Sequence, residues 1–88
     1  MDKLHSLKKQ LDANTNWPLI YMFKFIVPAE IEKIALVEAL FDSNATIYRN
    51  ESKSGKFISI TAKQEMDSST DIIDVYQKAS SIENILAL

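Results

Sequence analysis

The longest apolar stretch of the chain runs from Trp17 to Val27 and reads WPLIYMFKFIV. It is rich in aromatic and β-branched residues, which are typical of β-strands. Both alternate sets of side chains are largely apolar, and the only charge is that of Lys24. A strand with two apolar faces indicates a central position in a sheet that is covered on both sides. The stretch therefore predicts a central strand, and what covers its second face becomes the question of function.

The rest of the chain shows helical and extended patterns in turn. Leucines at helical spacing near the N-terminus, Pro28 at a helix start and a run of N-cap residues at 67–71 predict three helices. Gly55, the only glycine, predicts a hairpin turn with a positive φ angle. In chain order, the predicted elements are a helix over 2–13, a strand over 17–27, a helix over 28–41, strands over 45–51 and 57–63, a helix over 67–79 and a strand over 82–88.

After the first helix, the element order is βαββαβ, which is that of the split βαβ or ferredoxin-like sandwich. The expected fold class is α+β, with a four-stranded antiparallel sheet in spatial order 4-1-3-2 and two helices on one of its faces. Residues 1–16 form an N-terminal helical extension in this interpretation, and residues 17–88 form the ferredoxin-like domain. The sheet face without these two helices is here called the open face.

The open face is predicted to be apolar but interrupted. The bulkier residues of the first strand, Tyr21, Phe23 and Phe25, are expected to face the helices. The residues expected on the open face, as a candidate interaction surface, are Ile20, Met22, Lys24 and Ile26 of the first strand and Phe57, Ser59 and Thr61 of the third. Each large apolar side chain left exposed forgoes about 1.5–3 kcal/mol relative to burial. A cover is therefore expected, and three stay open: the N-terminal helix through its leucines, a second copy of the chain in a homodimer, or a protein partner.

Composition narrows the class of protein. The chain of 88 residues suffices for one domain, with the hydrophobic and charged fractions of an ordinary soluble globular protein. A net charge of −2 provides no general attraction to nucleic acid or anionic lipid. The absence of cysteine excludes disulfides and thiolate metal sites and fits a cytoplasmic location. No segment has the pattern of a signal peptide or a membrane span, so no membrane association is expected.

No constellation of residues predicts catalysis, a metal or a cofactor, so the chain is expected not to be an enzyme. His5 is the only histidine and is interpreted as a solvated surface residue on a short helix. The hairpin turn at 52–56 lacks the first glycine and the final hydroxyl residue of a phosphate-binding Walker loop. No RNP1 signature is present, which argues against RNA binding by the open face.

Two further groups of side chains are assigned from the pattern. A modest basic rim at one end of the sheet, for an anionic ligand or partner, is predicted from Arg49, Lys53, Lys56 and Lys63. Tyr48 and Tyr76 are interpreted as packing residues at the edge of the core.

Short motifs carry a resemblance to a known family. They are Trp17-Pro18 leading into 21–25, the hairpin at 52–57 and the strand Ser59-Ile60-Thr61. On these residues the chain resembles the YbeD-like proteins, small bacterial domains of unknown function, over almost everything beyond residue 16. The resemblance implies a ferredoxin-like fold similar to regulatory ACT domains, and a regulatory or binding role without established enzymatic activity. This chain has Val27-Pro28 where the family tends to carry a glycine, in the region that contributes to effector binding in ACT domains.

Two functions are expected from these patterns. The first is a small non-enzymatic binding or regulatory module that acts through its open face on a partner not yet identified. The alternative is an ACT-like sensor of an amino acid or another metabolite. An uncovered apolar open face favours the first, whereas a ligand that stabilises the native state favours the second.

Overall fold

The computed structural model describes residues 3–13 and 16–88. The predicted helix start at Asp2, and residues 1, 2, 14 and 15 of the predicted extension, lie outside these ranges. The elements in chain order are α1 (Lys3–Asp12), β1 (Leu19–Pro28), α2 (Ile31–Glu38), β2 (Thr46–Glu51), β3 (Phe57–Met66), α3 (Ser69–Ala79) and β4 (Leu86–Ala87). The chain is therefore α+β, as the pattern predicts.

The four strands form one sheet in the order β2-β3-β1-β4, and every neighbouring pair is antiparallel. β1 and β3 pair along their full lengths, from Leu19 opposite Met66 to Pro28 opposite Phe57. This pairing places the most apolar strand next to β3 in the middle of the sheet. The central position predicted for β1 is confirmed.

Element ends differ from the prediction where local turns replace regular structure. β4 has only two residues because 82–85 form a turn, in which the Ile85 amide donates to the Ile82 carbonyl at 3.3 Å and Asn84 has a φ angle of 65°. α2 ends at Glu38 rather than at residue 41. The Phe41 amide then bonds the Glu38 carbonyl at 3.2 Å, the three-residue spacing of a tightened last turn.

The buried core combines residues of β1 and β3 with residues of α2 and α3. Phe23 and Phe25 of β1 are completely buried, together with Val37 of α2 and Ile72 of α3. Tyr21 is half-buried on the same side of β1. The heavier alternate set of β1 is therefore the buried one, and its opposite set lies on the open face.

α1 packs against α3 instead of the open face. Leu11 contacts the core, and the Ser69 hydroxyl at the start of α3 donates a hydrogen bond to Asp12 at the end of α1. That bond is the main reason why the pKa of Asp12 lies below its usual value, and the bond from Lys8 Nζ, at 2.9 Å, adds to it. Of the three covers left open, α1 is therefore not the one within the described residues, because it packs against α3 with Leu11 in contact with the core.

Candidate functional site

The open face is assembled by the strand register. Ile26 lies opposite Ser59 and Lys24 opposite Thr61, so each pair shares one face of the sheet. Alternation along β1 and β3 extends this face in both directions. All seven residues expected on the open face lie there: Ile20, Met22, Lys24, Ile26, Phe57, Ser59 and Thr61.

The face has two apolar ends and a polar middle. Ile20 and Met22 form one end and retain 72% and 59% of their surface exposed. Ile26 and the half-exposed Phe57 form the other end. Lys24 lies between these ends, next to Thr61. A partner that contacts the whole face must therefore bring apolar groups on either side of an anionic or hydrogen-bond-accepting group that pairs with Lys24.

Two large apolar or aromatic residues of the open face escaped the sequence pattern. Tyr48 lies opposite Thr61 and is 55% exposed, so its assignment to the edge of the core is wrong. The inward residue of β2 is its neighbour Ile47. Leu86 of β4 lies opposite Ile26 and is also exposed. The alternation of 45–51 contained the signal for Tyr48, since a strand cannot place two neighbouring side chains on the same face.

Charge on the open face is mainly positive. Lys63 pairs with Thr46 and Met22, and its Nζ lies 5.9 Å from the centre of the Tyr48 ring. Lys24 is exposed and forms no ion pair within the described ranges 3–13 and 16–88. Glu65 lies opposite Ile20 in the strand register, so it adds an acidic side chain at that end of the open face. The polar middle therefore favours a carboxylate.

The four residues of the predicted basic rim do not lie together. Arg49 lies opposite the inward-facing Ile60, so it is on the helix side of the sheet. Lys63 is seven positions beyond Lys56, about 23 Å along an extended strand. Only Lys53 and Lys56 share the hairpin turn, where Gly55 has the expected positive φ angle of 73°.

Arg49 is committed to a structural ion pair. Its Nε donates to Glu38 Oε2 at 2.5 Å, and its Nη2 donates to Glu38 Oε1 at 2.8 Å. These two bonds lower the pKa of the Glu38 carboxyl and raise the pKa of the Arg49 guanidinium. A bidentate pair of this kind fixes geometry as well as charge. It ties the last turn of α2 to the edge strand β2.

A cavity of about 540 Å³ lies at the end of β1 where the chain turns into α2. Its lining comprises Ile26, Pro28, Lys56, Phe57 and three residues of the segment 84–86. The Ala29 amide donates to the Lys56 carbonyl at 2.9 Å and closes the join between this turn and the hairpin. Among the described residues of the lining, Lys56 is the one with an ionisable side chain. The cavity therefore suits a small ligand that carries a negative group.

No cluster that could hold a metal ion is found in the part of the chain that the structure describes. His5 is exposed on α1, and no three histidine or acidic side chains there converge as they would around a metal ion. Across the same ranges, no helix has the length and apolar character needed to cross a bilayer.

Comparison with known proteins gives one match. A family model described as "Protein of unknown function (DUF493)" matches residues 12–88, which include every strand of the sheet together with α2 and α3. No curated protein and no solved structure is similar enough to match. The match covers nearly the whole chain, and the protein therefore belongs to the DUF493 family of proteins of unknown function.

Proposed function

We propose that this protein is a non-enzymatic binding and regulatory module that docks another protein through its open face. The observation that carries this proposal is the exposure of Ile20 and Met22, at 72% and 59%, on a face that none of the described helices covers. Burying one such side chain fully against a partner contributes about 1.5–3 kcal/mol. The face offers several of them within one plane.

The size of the open face fits a regulatory contact. The strands are 10, 6, 10 and 2 residues long, and at about 3.3 Å per residue and 4.8 Å between strands they span roughly 440 Å² in projection. A standard interface buries about 800 Å² on each partner, so this face provides a contact at the small, transient end of the range. Such interfaces form and separate readily, as regulation requires.

The chemistry of the face favours an acidic and apolar partner over a second copy. Lys24 has no ion pair within the described residues, and Lys63 lies on the same face. Two copies docked face to face about their centres bring these ammonium groups together, which costs affinity. A partner that presents apolar side chains around a carboxylate meets both ends of the face and neutralises its middle.

The fold family is part of the same proposal. Read from β4, the strand order is 4-1-3-2, and the element order after α1 is βαββαβ. Both support a ferredoxin-like sandwich of the kind to which ACT domains and the YbeD-like proteins belong. Likeness of fold supports a regulatory role only weakly, because function resides in the site. The open face therefore carries the proposal, and the fold is consistent with it.

The test is capture of a partner by the immobilised protein from an extract of its native host. Met22→Glu places a charge on the open face, whereas Leu36→Glu places the same charge on α2, where Leu36 is 53% exposed and thus a matched control. We expect Met22→Glu to reduce capture of a discrete partner at least about tenfold, since it removes an apolar contact worth about 1.5–3 kcal/mol and repels an acidic partner. Leu36→Glu should retain capture.

The alternative outcomes are separable by sedimentation of the purified protein. A wild-type dimer that Met22→Glu dissociates identifies a second copy as the occupant and overturns the choice of an acidic partner. Equal capture by wild type and Met22→Glu, with both variants folded by circular dichroism, excludes the open face as the docking surface.

A second function is favoured by the 540 Å³ cavity beside Pro28 and Lys56. In this alternative the protein is an ACT-like sensor of an amino acid or a similar anionic metabolite, bound with its carboxylate at Lys56. A ligand at 100 times its dissociation constant stabilises the native state by about 2.7 kcal/mol, which raises the melting temperature of a small domain by roughly 10 °C or more. A flat thermal-shift response across the amino acids excludes them as ligands, and Lys56→Gln should abolish any shift that is seen.

A further inference from the structure

A large cavity lies between α1 and the C-terminal half of α3, on the side of the sheet away from the open face. Its volume is about 980 Å³. Small-molecule sites occupy about 300–1,000 Å³, so the cavity has the size of a binding site. The cavity is open to solvent along one side, so a molecule can enter it.

The walls of the cavity are mainly apolar and come from three elements. They include Leu4 and Leu7 of α1, Tyr21 and Phe25 of β1, and Tyr76 and Ala79 of α3. The turn at 82–85 closes one end with two isoleucines. An occupant that contacts these walls must itself be largely apolar.

α1 is held at its C-terminal end and forms a wall of the cavity with its N-terminal half. Leu11 packs against the core, and Asp12 accepts a hydrogen bond from Ser69. Leu4 and Leu7 belong to the same helical stripe but are only half-buried, along the cavity. Leu4 and Leu7 therefore present apolar side chains to the cavity, where an apolar molecule can contact them.

Two phenols supply the polar group of the site. The hydroxyl oxygens of Tyr21 and Tyr76 are 3.1 Å apart, and one hydroxyl donates to the other. Each phenol has one donor hydrogen, so the second hydrogen has no protein acceptor within the described residues. Burial raises the pKa of Tyr76, and the phenol stays protonated at neutral pH. The serine hydroxyls of the lining, those of Ser80 and Ser81, are occupied because they donate to carbonyl oxygens of α3.

Charge in the lining restricts the ligand further. Among the described lining residues, Glu83 is the only one with an ionisable carboxylate or ammonium side chain. A carboxylate there repels an anionic ligand such as a fatty acid. We infer that the cavity binds an uncharged, largely apolar small molecule whose single hydrogen-bond acceptor, a carbonyl oxygen or its equivalent, accepts the free phenol hydrogen. Leu4 and Leu7 lie outside residues 12–88 of the family match, so this chain forms part of the site with a segment beyond the matched domain.

The site is independent of the open face, and the test uses that independence. The probe is prodan, an uncharged naphthyl ketone whose emission reports both the polarity around it and hydrogen bonds to its carbonyl oxygen. We expect the full chain to bind prodan saturably, with one site and a blue shift. The anionic naphthalenesulfonate ANS should displace bound prodan about tenfold more weakly than an uncharged naphthyl ketone does, because of Glu83, and Glu83→Gln should narrow that difference. Equal displacement of prodan from the wild type by the two competitors overturns the preference for an uncharged ligand.

Three variants locate the bound probe. Leu7→Glu should abolish prodan binding because it places a charge in the apolar wall. The double variant Tyr21→Phe/Tyr76→Phe keeps the shape of the cavity and removes its donors, so affinity should fall about three- to tenfold. Met22→Glu, on the open face, should leave the affinity unchanged.

The reverse pattern, or the absence of saturable binding by the wild type, overturns the inference. Binding that Met22→Glu removes belongs to the open face. Where Leu7→Glu is found by circular dichroism to lose its fold, the double phenylalanine variant decides alone: an unchanged affinity and emission maximum contradict the role of the phenols.

Discussion

Phe23 provides the sharpest test of the division of β1 into a buried and an open face. Its side chain has no exposed surface, and its ring centre lies 4.7 Å from that of Tyr21, 5.2 Å from that of Phe41 and 5.5 Å from that of Tyr76. Removing a buried phenylalanine side chain costs about 3–5 kcal/mol. Because each aromatic pair adds about 0.5–1.5 kcal/mol beyond burial, we expect Phe23→Ala to fall in the upper part of that range.

The expected loss is large compared with the stability of the whole domain. At about 0.05–0.15 kcal/mol per residue, the free energy of unfolding of a chain of this length is about 4–13 kcal/mol. For a urea dependence of about 1–1.5 kcal/mol per molar, Phe23→Ala should lower the unfolding midpoint by roughly 2–5 M. Equilibrium urea unfolding followed by circular dichroism measures this shift directly.

The control is the adjacent residue. Met22→Ala removes a side chain of similar size from the open face, where it is 59% exposed, and should change the free energy of unfolding by no more than about 0.5 kcal/mol. A milder pair repeats the comparison if Phe23→Ala does not fold: Ile60→Val in the core should cost about 0.5–1.5 kcal/mol, and Ile20→Val almost nothing. Equal losses within either pair refute the assignment of the two faces.

Three further perturbations test local features of the fold. The ion pair with Arg49 lowers the pKa of Glu38 below its ordinary value of 4.5. The stabilisation of the fold by this ion pair is therefore present above pH 4.5 and disappears as the pH falls through the lower pKa of the folded state. Acid titration of the free energy of unfolding should show this loss in the wild type and not in Glu38→Gln. Gly55→Ala should cost about 1 kcal/mol in urea unfolding because φ at this position is 73°. Ser68→Ala should cost about 1 kcal/mol, since the Ser68 hydroxyl accepts from the Asp71 amide at the start of α3 at 3.2 Å.

Each of these changes has a matched control. Glu38→Gln should also show a lower stability than the wild type at pH 7 and the same stability at the acid end of the titration. Lys53→Ala alters the same hairpin without a φ constraint and should be neutral. Ser68→Asp keeps a capping oxygen and should retain most of the stability, whereas an equal loss in Ser68→Asp would mean that the hydroxyl is not acting as a cap.

The faces of the sheet could be predicted because strands have a period of two. In β1 the heavier set contains Phe23 and Phe25, and in β3 the inward set contains Ile60, so each strand alone specifies which side is buried. The same rule applied to β2 exposes Tyr48, but the short, mixed sequence of that strand made its tyrosine resemble a core residue. Where the alternation of apolar and polar residues is strong, the burial of apolar side chains dominates the free energy of folding, and the prediction of the buried face holds.

Contacts between distant segments could not be predicted. α1 is docked by the hydrogen bond between Asp12 and Ser69, which are 57 residues apart. The ion pair of Arg49 with Glu38 is a second contact of this kind, and it explains why Arg49 does not belong to the predicted basic rim. Neither partner is marked by its neighbours in the sequence, because both pairs depend on how whole elements pack. The large cavity also depends on such packing, because only the C-terminal end of α1 contacts the core while its N-terminal half lines the cavity.

Because β4 is only two residues long, it pairs with only part of the central strand β1. β4 pairs only with Phe25 and Ile26 of β1, and the Leu88 amide adds one bond to the Lys24 carbonyl. From Leu19 to Phe23, the backbone groups of β1 that point away from β3 have no strand partner among the described residues. These amides lie at the margin of the longest apolar stretch of the chain, where an unpaired strand edge is a template for strand addition by an extended segment of another chain.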